Sequence, residues 1–416
     1  MRELSYDAAV IGGGAAGMAA ALEIRAAGLS CVILEREDHL GGILLQCVHN
    51  GFGLIEFDEE LSGPEFAERM EERFRASGAD AYLGVTVMDV EDAGDRKVLF
   101  GYSAEHGILR VSVRAVVLAM GCRERNRGNI RIPGARPAGV YTAGLAQRLV
   151  NMEGYLPGKD AVIIGSGDIG LIMARRMSWA GAKVHGVVEI LPYPSGLTRN
   201  IVQCLHDFDI PLYLSHLTTG IFGGDRVESV EIAPIEDGAV RFEKAFRIPC
   251  DTVLLSVGLV PENELSKKMG VELNPMTNGP WTDSRMMTNV PGIFAAGNVL
   301  HVHDLVDYVA EEARRAGAAC ARWIRGEGPG RELRVKAGPN VRYTAPCRVG
   351  PESPNKLYLR TLIVKNDAVL EVRLDNRVVQ SRKKAHIQPS EMISVTLDPK
   401  DLAGAGPDSV LEIAIL

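Results

Sequence analysis

A chain of 416 residues exceeds the size at which a single hydrophobic core stops growing, so two or three domains are expected. With 46% hydrophobic and 24% charged residues, it has the composition of an ordinary globular protein, which excludes disorder as the default state. Its formal net charge of -7, with both signs mixed along the chain, leaves no footprint for nucleic acid or an anionic membrane.

The opening MRELSYDAAVIGGG runs into a strand pattern without the basic, apolar and small-residue regions of a signal peptide. Glycines, Glu23 and Arg25 interrupt the next apolar stretch too early for a bilayer span. No membrane span and a cytoplasmic location are therefore expected. DAAVIGGGAAGMAAALEIRAAG (7–28) reads as a short buried strand, a glycine turn and an alanine-rich helix. Gly12, Gly14 and Gly17 form G-x-G-x-x-G, which permits a tight turn, close approach to a pyrophosphate, and close packing of helix on strand. The helix then offers unpaired N–H groups to the phosphates, beginning at Ala15 and Ala16. The next strand, CVILE, ends in Glu35, 23 residues after Gly12, where a carboxylate can accept both hydroxyls of a ribose. Arg36 follows it.

Farther on, LLQCVHNGFG holds Cys47 and His49 just after the pair Gly41-Gly42. Phe66 to Ala76 reads as a helix led in by Pro64, with EERFR (71–75) on its solvated face. AYLGVTVMDVED (81–92) reads as one strand. DAVIIGSGDIGLIMARRMSWAGAKVHGVVE (160–189) then repeats the whole pattern, with Gly165, Gly167 and Gly170 in the turn, Asp168 and Ile169 opening the helix, and Glu189 at the end of the next strand. Two dinucleotide folds mean two dinucleotides or one vestigial site. A carboxylate at 189 repels a 2′-phosphate and binds a free 2′-hydroxyl, so NAD(H) is favoured over NADP(H) unless Arg175, Arg176 or Arg199 rescues the phosphate.

PCDTVLLSVGLVPENEL (249–265) closes the second fold, and DYVAEEARRAGAACARWIRG (307–326) is a long helix. GEGPGREL (326–333) reads as a linker. After it KLYLRTLIV, AVLEVRLD, EMISVTLD and SVLEIAIL alternate or run apolar between turn residues, which predicts a small all-β domain. Partner docking and a cover for the first domain are equal readings of it. The seven cysteines include no C-x-x-C pair, which argues against zinc, an iron–sulfur cluster or an internal dithiol. His301 and His303 sit two apart, but with Asp304 as the only obvious further ligand no metal site is expected. A flavin-edge or partner-contact role suits them better.

These motifs, with AMGCRER at 119–125 and GIFAAGN at 292–298, resemble the pyridine nucleotide–disulfide oxidoreductase superfamily, in its thioredoxin-reductase-like branch, over residues 5 to 330. The resemblance implies an α/β fold of two Rossmann-like three-layer ββα domains, the NAD(P) domain (119–282) inserted into a discontinuous FAD domain (1–118 and 283–330), followed by the β domain at 331–416. It implies FAD at Gly12, Gly14, Ala15, Ala16, Gly17, Glu35, Arg36, Gly41, Gly42, Val87, Gly121, Gly297, Asn298 and Val309, and NAD at Gly165, Gly167, Asp168, Ile169, Gly170 and Glu189. Its usual residue at position 298 is Asp; Asn keeps hydrogen bonds but not the charge beside the flavin.

QCVHNGFGLIEFDEELSGPEFAERM (46–70), PAGVYTAGLAQRLVN (137–151) and NVLHVHDLVDYVAEEA (298–313) are more closely similar to NAD-linked flavoprotein subunits of opine and amine dehydrogenases, hydrogen cyanide synthase, and a group paired with glycerol-3-phosphate-dehydrogenase-like flavoenzymes. That likeness implies hydride transfer between NAD(H) and flavin with a protein redox partner of one of these kinds; the oligomeric state stays open. The redox cysteine pairs of thioredoxin and glutathione reductases are absent from 137–161 and after Gly41-Gly42. Cys47 falls where related branches present a cysteine to the flavin. It is either a redox thiol, with His49 as base, in a self-contained NADH oxidase or peroxidase, or packing beside the ring. A non-catalytic role in assembly is the third alternative.

Overall fold

The computed structural model describes residues 1–328 and 330–416; Pro329, within the expected linker, lies outside the described residues. The chain forms two compact units, one of Met1–Cys122 with Pro261–Leu416, the other of Arg123–Val260.

In the first unit a parallel sheet runs in the order Ile293–Ala295, Ala115–Leu118, Ala8–Ile11, Cys31–Leu34, Asp80–Tyr82. Its three central strands are buried at every position, as expected of a parallel sheet covered on both faces. Alternate residues serve opposite layers. Ala8, Val10, Ala115 and Val117 pack with helices Ala15–Ala26 and Val306–Ile324. Ala9, Ile11, Val116 and Leu118 instead pack with an outer sheet of Arg2–Ser5, Gly107–Val113, Lys97–Ser103 and Thr86–Asp92. The three-layer ββα sandwich follows from that period of two.

The single strand expected at 81–92 is two strands in two sheets, Asp80–Tyr82 and Thr86–Asp92. Gly84, at a φ of 62°, turns the chain out of the parallel sheet, where its N–H donates to Glu37 O at 2.8 Å. The helix expected from Phe66 begins earlier, at Gly63, because Ser62 and Glu65 form a capping box on either side of Pro64. Phe74 of the EERFR run faces the core while Glu72, Arg73 and Arg75 are exposed.

The second unit repeats the design, with a parallel sheet ordered Val140–Thr142, Thr252–Leu255, Asp160–Ile164, Lys183–Val188, Leu212–Tyr213. Ala161 and Ile163 pack towards helix Asp168–Trp179, and Val162 and Ile164 towards the antiparallel strands His216–Phe222, Ser229–Glu236 and Phe246–Pro249. This unit is narrower than the expected 119–282. Residues 261–282 belong to the first unit because Leu265 and Val271 join the cluster of Leu118.

The C-terminal strands make a five-stranded sheet (Arg348–Val349, Leu333–Ala337, Val410–Ile415, Lys365–Leu374, Arg377–Ile387) and a three-stranded one (Val341–Ala345, Asn355–Thr361, Met392–Leu397) around an apolar cluster of their own. They are tied to the rest of the first unit by Lys356 Nζ to Glu311 at 2.5 Å and Arg360 Nη2 to Val302 O at 3.1 Å. No described helix is long and apolar enough to cross a membrane.

The two helices under the first sheet meet backbone to backbone, for a Cβ on Gly317 would lie 2.3 Å from Ala20 O. G317V is therefore expected to destabilise the first unit by about 1–3 kcal/mol or more through overpacking, read as a lowered midpoint in urea unfolding followed by far-UV circular dichroism.

Candidate active site

The first glycine turn is set by contacts that only hydrogen permits. Gly12 has a φ of 102°, and a Cβ there would lie 2.5 Å from Ala119 O; one on Gly17 would lie 1.8 Å from Gly12 O. Gly14 differs, since a Cβ there meets nothing within 4 Å. The helix it opens has neither a side-chain cap nor an acid in its first turn, which leaves the N–H groups around Ala15 and Ala16 for an anion. Glu35, 6% exposed, reaches back to the turn, accepting from Gly13 N at 2.5 Å and from Glu37 N at 2.8 Å. The chain then returns over the turn, Gly41 N donating to Gly13 O at 3.0 Å, and Gly42 faces Gly14 Cα.

Gly297 joins this cluster, as a Cβ on it would sit 3.0 Å from Ala16 Cβ and 3.1 Å from Val309 Cγ1. Gly121, at a φ of 71°, has open space where its Cβ would be. Asn298 is fixed at both ends, accepting from His303 N at 3.0 Å and lying 3.7 Å from Cys122 Sγ. Arg36 is exposed beside Glu37. The Val85 N–H donates to the backbone carbonyl of Glu35 at 2.8 Å, and Val87 lies two residues beyond, against the outer-sheet core. Open space at Gly14 and Gly121, an uncapped helix start and a buried strand-end carboxylate fit a flavin adenine dinucleotide.

The second turn has the same frame with more of its polar groups engaged. A Cβ on Gly165 would lie 2.1 Å from Ser256 O and one on Gly170 2.7 Å from Ser256 Cβ; Ser256 Oγ accepts from Gly170 N at 3.1 Å. Glu189, 4% exposed, accepts from Ser166 N at 3.0 Å and Leu191 N at 3.0 Å, matching Glu35 bond for bond. It also takes the hydroxyls of Ser166 at 2.6 Å and Ser195 at 2.9 Å. Asp168, first residue of its helix, accepts from Leu197 N at 2.8 Å and Asn200 Nδ2 at 2.7 Å. Segment 191–200 is thus laced to the turn. Of the arginines near it, Arg176 donates to Asn151 Oδ1 at 2.6 Å, Arg175 stacks on Trp179, and Arg199 is exposed.

Cys47 closes the short helical turn Gly42–Gln46, its thiol donating to Ile43 O at 3.3 Å. Burial pushes that thiol up to about 12, the reverse of what a nucleophilic thiolate needs. His49 Nδ1 lies 3.1 Å from Asn50 O, and its ring packs on Phe52. The loop that follows is anchored by buried Asp307, which accepts from Gly53, Ile55 and Glu56 N at 3.2, 3.0 and 2.9 Å. Sequence reasoning missed Glu312. Ligating atoms of His301, His303 and Glu312 lie within 4.8 Å of one another, whereas Asp304 pairs with Arg360 and accepts from Met392 N. The signal was a glutamate inside the apolar stripe of Ala310, Ala313 and Ala316.

A family model described as pyridine nucleotide-disulphide oxidoreductase matches residues 6–319, ending before the C-terminal strands. The chain is 29% identical over 323 residues to an opine oxidase subunit from Agrobacterium tumefaciens, covering 70% of this chain and 61% of that one, so it spans about three fifths of that relative. It is 30% identical over 351 residues to the glutamate synthase [NADPH] small chain of Mycobacterium tuberculosis, covering 76% and 67%. Among solved structures, the thioredoxin reductase of T. acidophilum superposes with a TM-score of 0.64 at 24% identity, over 76% of this chain and 98% of that one. That likeness is one of fold.

With its thiol held near 12, Cys47 is expected to react with iodoacetamide at pH 8 about a hundredfold or more slower in the native protein than in urea. Peptide mass spectrometry of timed alkylations reads the ratio, and equal rates would reveal an accessible thiolate.

Proposed function

Because the chain belongs to the pyridine nucleotide-disulphide oxidoreductase family, we propose that it takes a hydride from NADH onto FAD and passes the electrons to a separate protein partner. It is an FAD-dependent pyridine nucleotide oxidoreductase; the choice of NADH, the partner and the residue roles are the proposal. One observation carries it. In each unit a strand-end carboxylate clamps a glycine turn through the same two backbone N–H groups, Gly13 and Glu37 for Glu35, Ser166 and Leu191 for Glu189.

In this reading the N–H groups following Gly14, at Ala15 and Ala16, hold the FAD pyrophosphate, with Gly12 and Gly17 keeping helix and strand close enough to present them. Glu35 takes the ribose, Arg36, Gly41, Gly42 and the strand of Val87 border the adenosine half, and Gly121, Gly297, Asn298 and Val309 border the flavin half. Bound FAD supplies the hydride-accepting ring; the protein supplies binding and orientation. Gly165, Gly167, Asp168, Ile169, Gly170 and Glu189 take the nicotinamide nucleotide. Leu197 and Asn200 engage the Asp168 carboxylate, which moderates its repulsion of a phosphate.

Ser166 and Ser195 keep Glu189 satisfied as a buried carboxylate, and ribose hydroxyls are donors of the same kind. A 2′-phosphate there would meet that carboxylate, and of the three arginines nearby Arg175 and Arg176 are engaged elsewhere, leaving the exposed Arg199 alone to answer it, which supports NADH over NADPH. The opine oxidase and glutamate synthase relatives are, by name, parts of larger enzymes, which supports a partner. We take that partner to be a flavoprotein dehydrogenase of the opine/amine or glycerol-3-phosphate type. The raised Cys47 thiol favours this over a thiol-based oxidase or peroxidase, and C47S is expected to leave NADH-to-dye activity unchanged.

Anaerobic stopped-flow mixing with NADH should bleach the flavin absorbance within the first turnovers; a bound flavin that never bleaches would falsify the reading and leave a non-catalytic assembly role. E189A should raise the NADH dissociation constant about tenfold to a hundredfold, the worth of a hydrogen bond to a charged group, with a smaller loss for NADPH. Titration of flavin reduction against each nucleotide gives both constants.

A further inference from the structure

Three side chains meet out of solvent beside the turn that carries Gly297 and Asn298. Glu312, on helix Val306–Ile324, is 0% exposed. Its carboxylate accepts from Gly297 N at 2.7 Å and lies 2.9 Å from His301 Nε2 and 3.2 Å from His303 Nε2. The other nitrogen of His301 lies 3.4 Å from the Tyr343 hydroxyl. Burial works to raise the Glu312 carboxyl, yet the two imidazoles hold it well below the usual carboxylate range. Burial first, then the neighbouring His303, push His301 down to about 4. Arg360, which faces His301, is paired with Asp304. A carboxylate is therefore sealed beside a turn whose own residue 298 is neutral.

Asn298 brings no charge to the turn; the carboxylate bonded to the N–H of the preceding Gly297 is that of Glu312. We propose that Glu312 is a positioning residue that holds the Gly297–Asn298 turn against the flavin and, through its buried charge, sets the flavin's reduction potential. The proposal rests on the reading of Gly297 and Asn298 as flavin contacts. His301 and His303 keep the carboxylate ionised by donating to it, and the His303 backbone N–H fixes the Asn298 side chain. A negative charge near the ring opposes its electron-rich reduced form.

The test is the flavin midpoint potential, measured by equilibration with a redox dye on FAD-loaded protein. E312Q keeps the size and removes the charge, so its potential should move positive of the parent; N298D adds a charge, so its potential should move negative. The double variant E312Q/N298D should return towards the parent value. An FAD-loaded E312Q at the parent potential overturns the proposal. Should E312Q fail to fold, an N298D potential equal to the parent overturns it as well. So would one equivalent of metal in the parent protein that E312Q loses, since the cluster would then be a metal centre. A parent chain that binds no FAD after reconstitution sinks instead the function proposed above.

Discussion

The architecture of both units depends on one steric condition, that a helix can start almost in contact with the strand before it. A Cβ on Gly17 would lie 1.8 Å from Gly12 O, and one on Gly170 2.8 Å from Gly165 O. Any side chain at these points would push helix from strand, and the N–H groups at the helix start would no longer face the crevice at the carboxyl ends of the strands. The alanine-rich composition of helix Ala15–Ala26 also lets helix Val306–Ile324 approach closely, so that a Cβ on Gly317 would lie 2.3 Å from Ala20 O.

The two turns share a frame and differ in how it is finished. Around the first, the helix start is uncapped and the returning chain contributes glycines. Around the second, Ser256 accepts from Gly170, Asp168 begins the helix, and Ser166 and Ser195 supply Glu189 with extra donors. Each addition satisfies a polar group that would otherwise be buried and unmatched without a nucleotide.

Most of this was legible because glycine spacing and period-two burial are local signals. Gly12, Gly14, Gly17, Gly165, Gly167 and Gly170 mark their turns by number alone, and VVL and VII runs mark doubly covered strands. The break at Gly84 was not legible, since a positive φ inside a β-rich stretch leaves no periodic trace. Strand Arg377–Ile387 was missed because it is largely exposed and basic, so nothing apolar alternates in it. Glu312 escaped because a search for a partner to two histidines looks to adjacent residues, whereas the helix brings in a carboxylate nine positions on. The environment of Cys47 was out of reach too: sequence fixes its position, while the pairing of its thiol with Ile43 O depends on the tightness of the Gly42–Gln46 turn.

The insertion of Arg123–Val260 into the first unit sets a timetable for synthesis. Strand Ala115–Leu118 needs Ile293–Ala295 on its outer side, and helix Val306–Ile324 must arrive before Ala15–Ala26 is covered. At about 5–20 residues per second of translation, a ribosome holds that edge open for roughly ten to thirty seconds while the inserted unit emerges and folds. During that interval the nascent first unit exposes an unpaired parallel edge and one bare helix face, the kinds of surface that associate wrongly when left open.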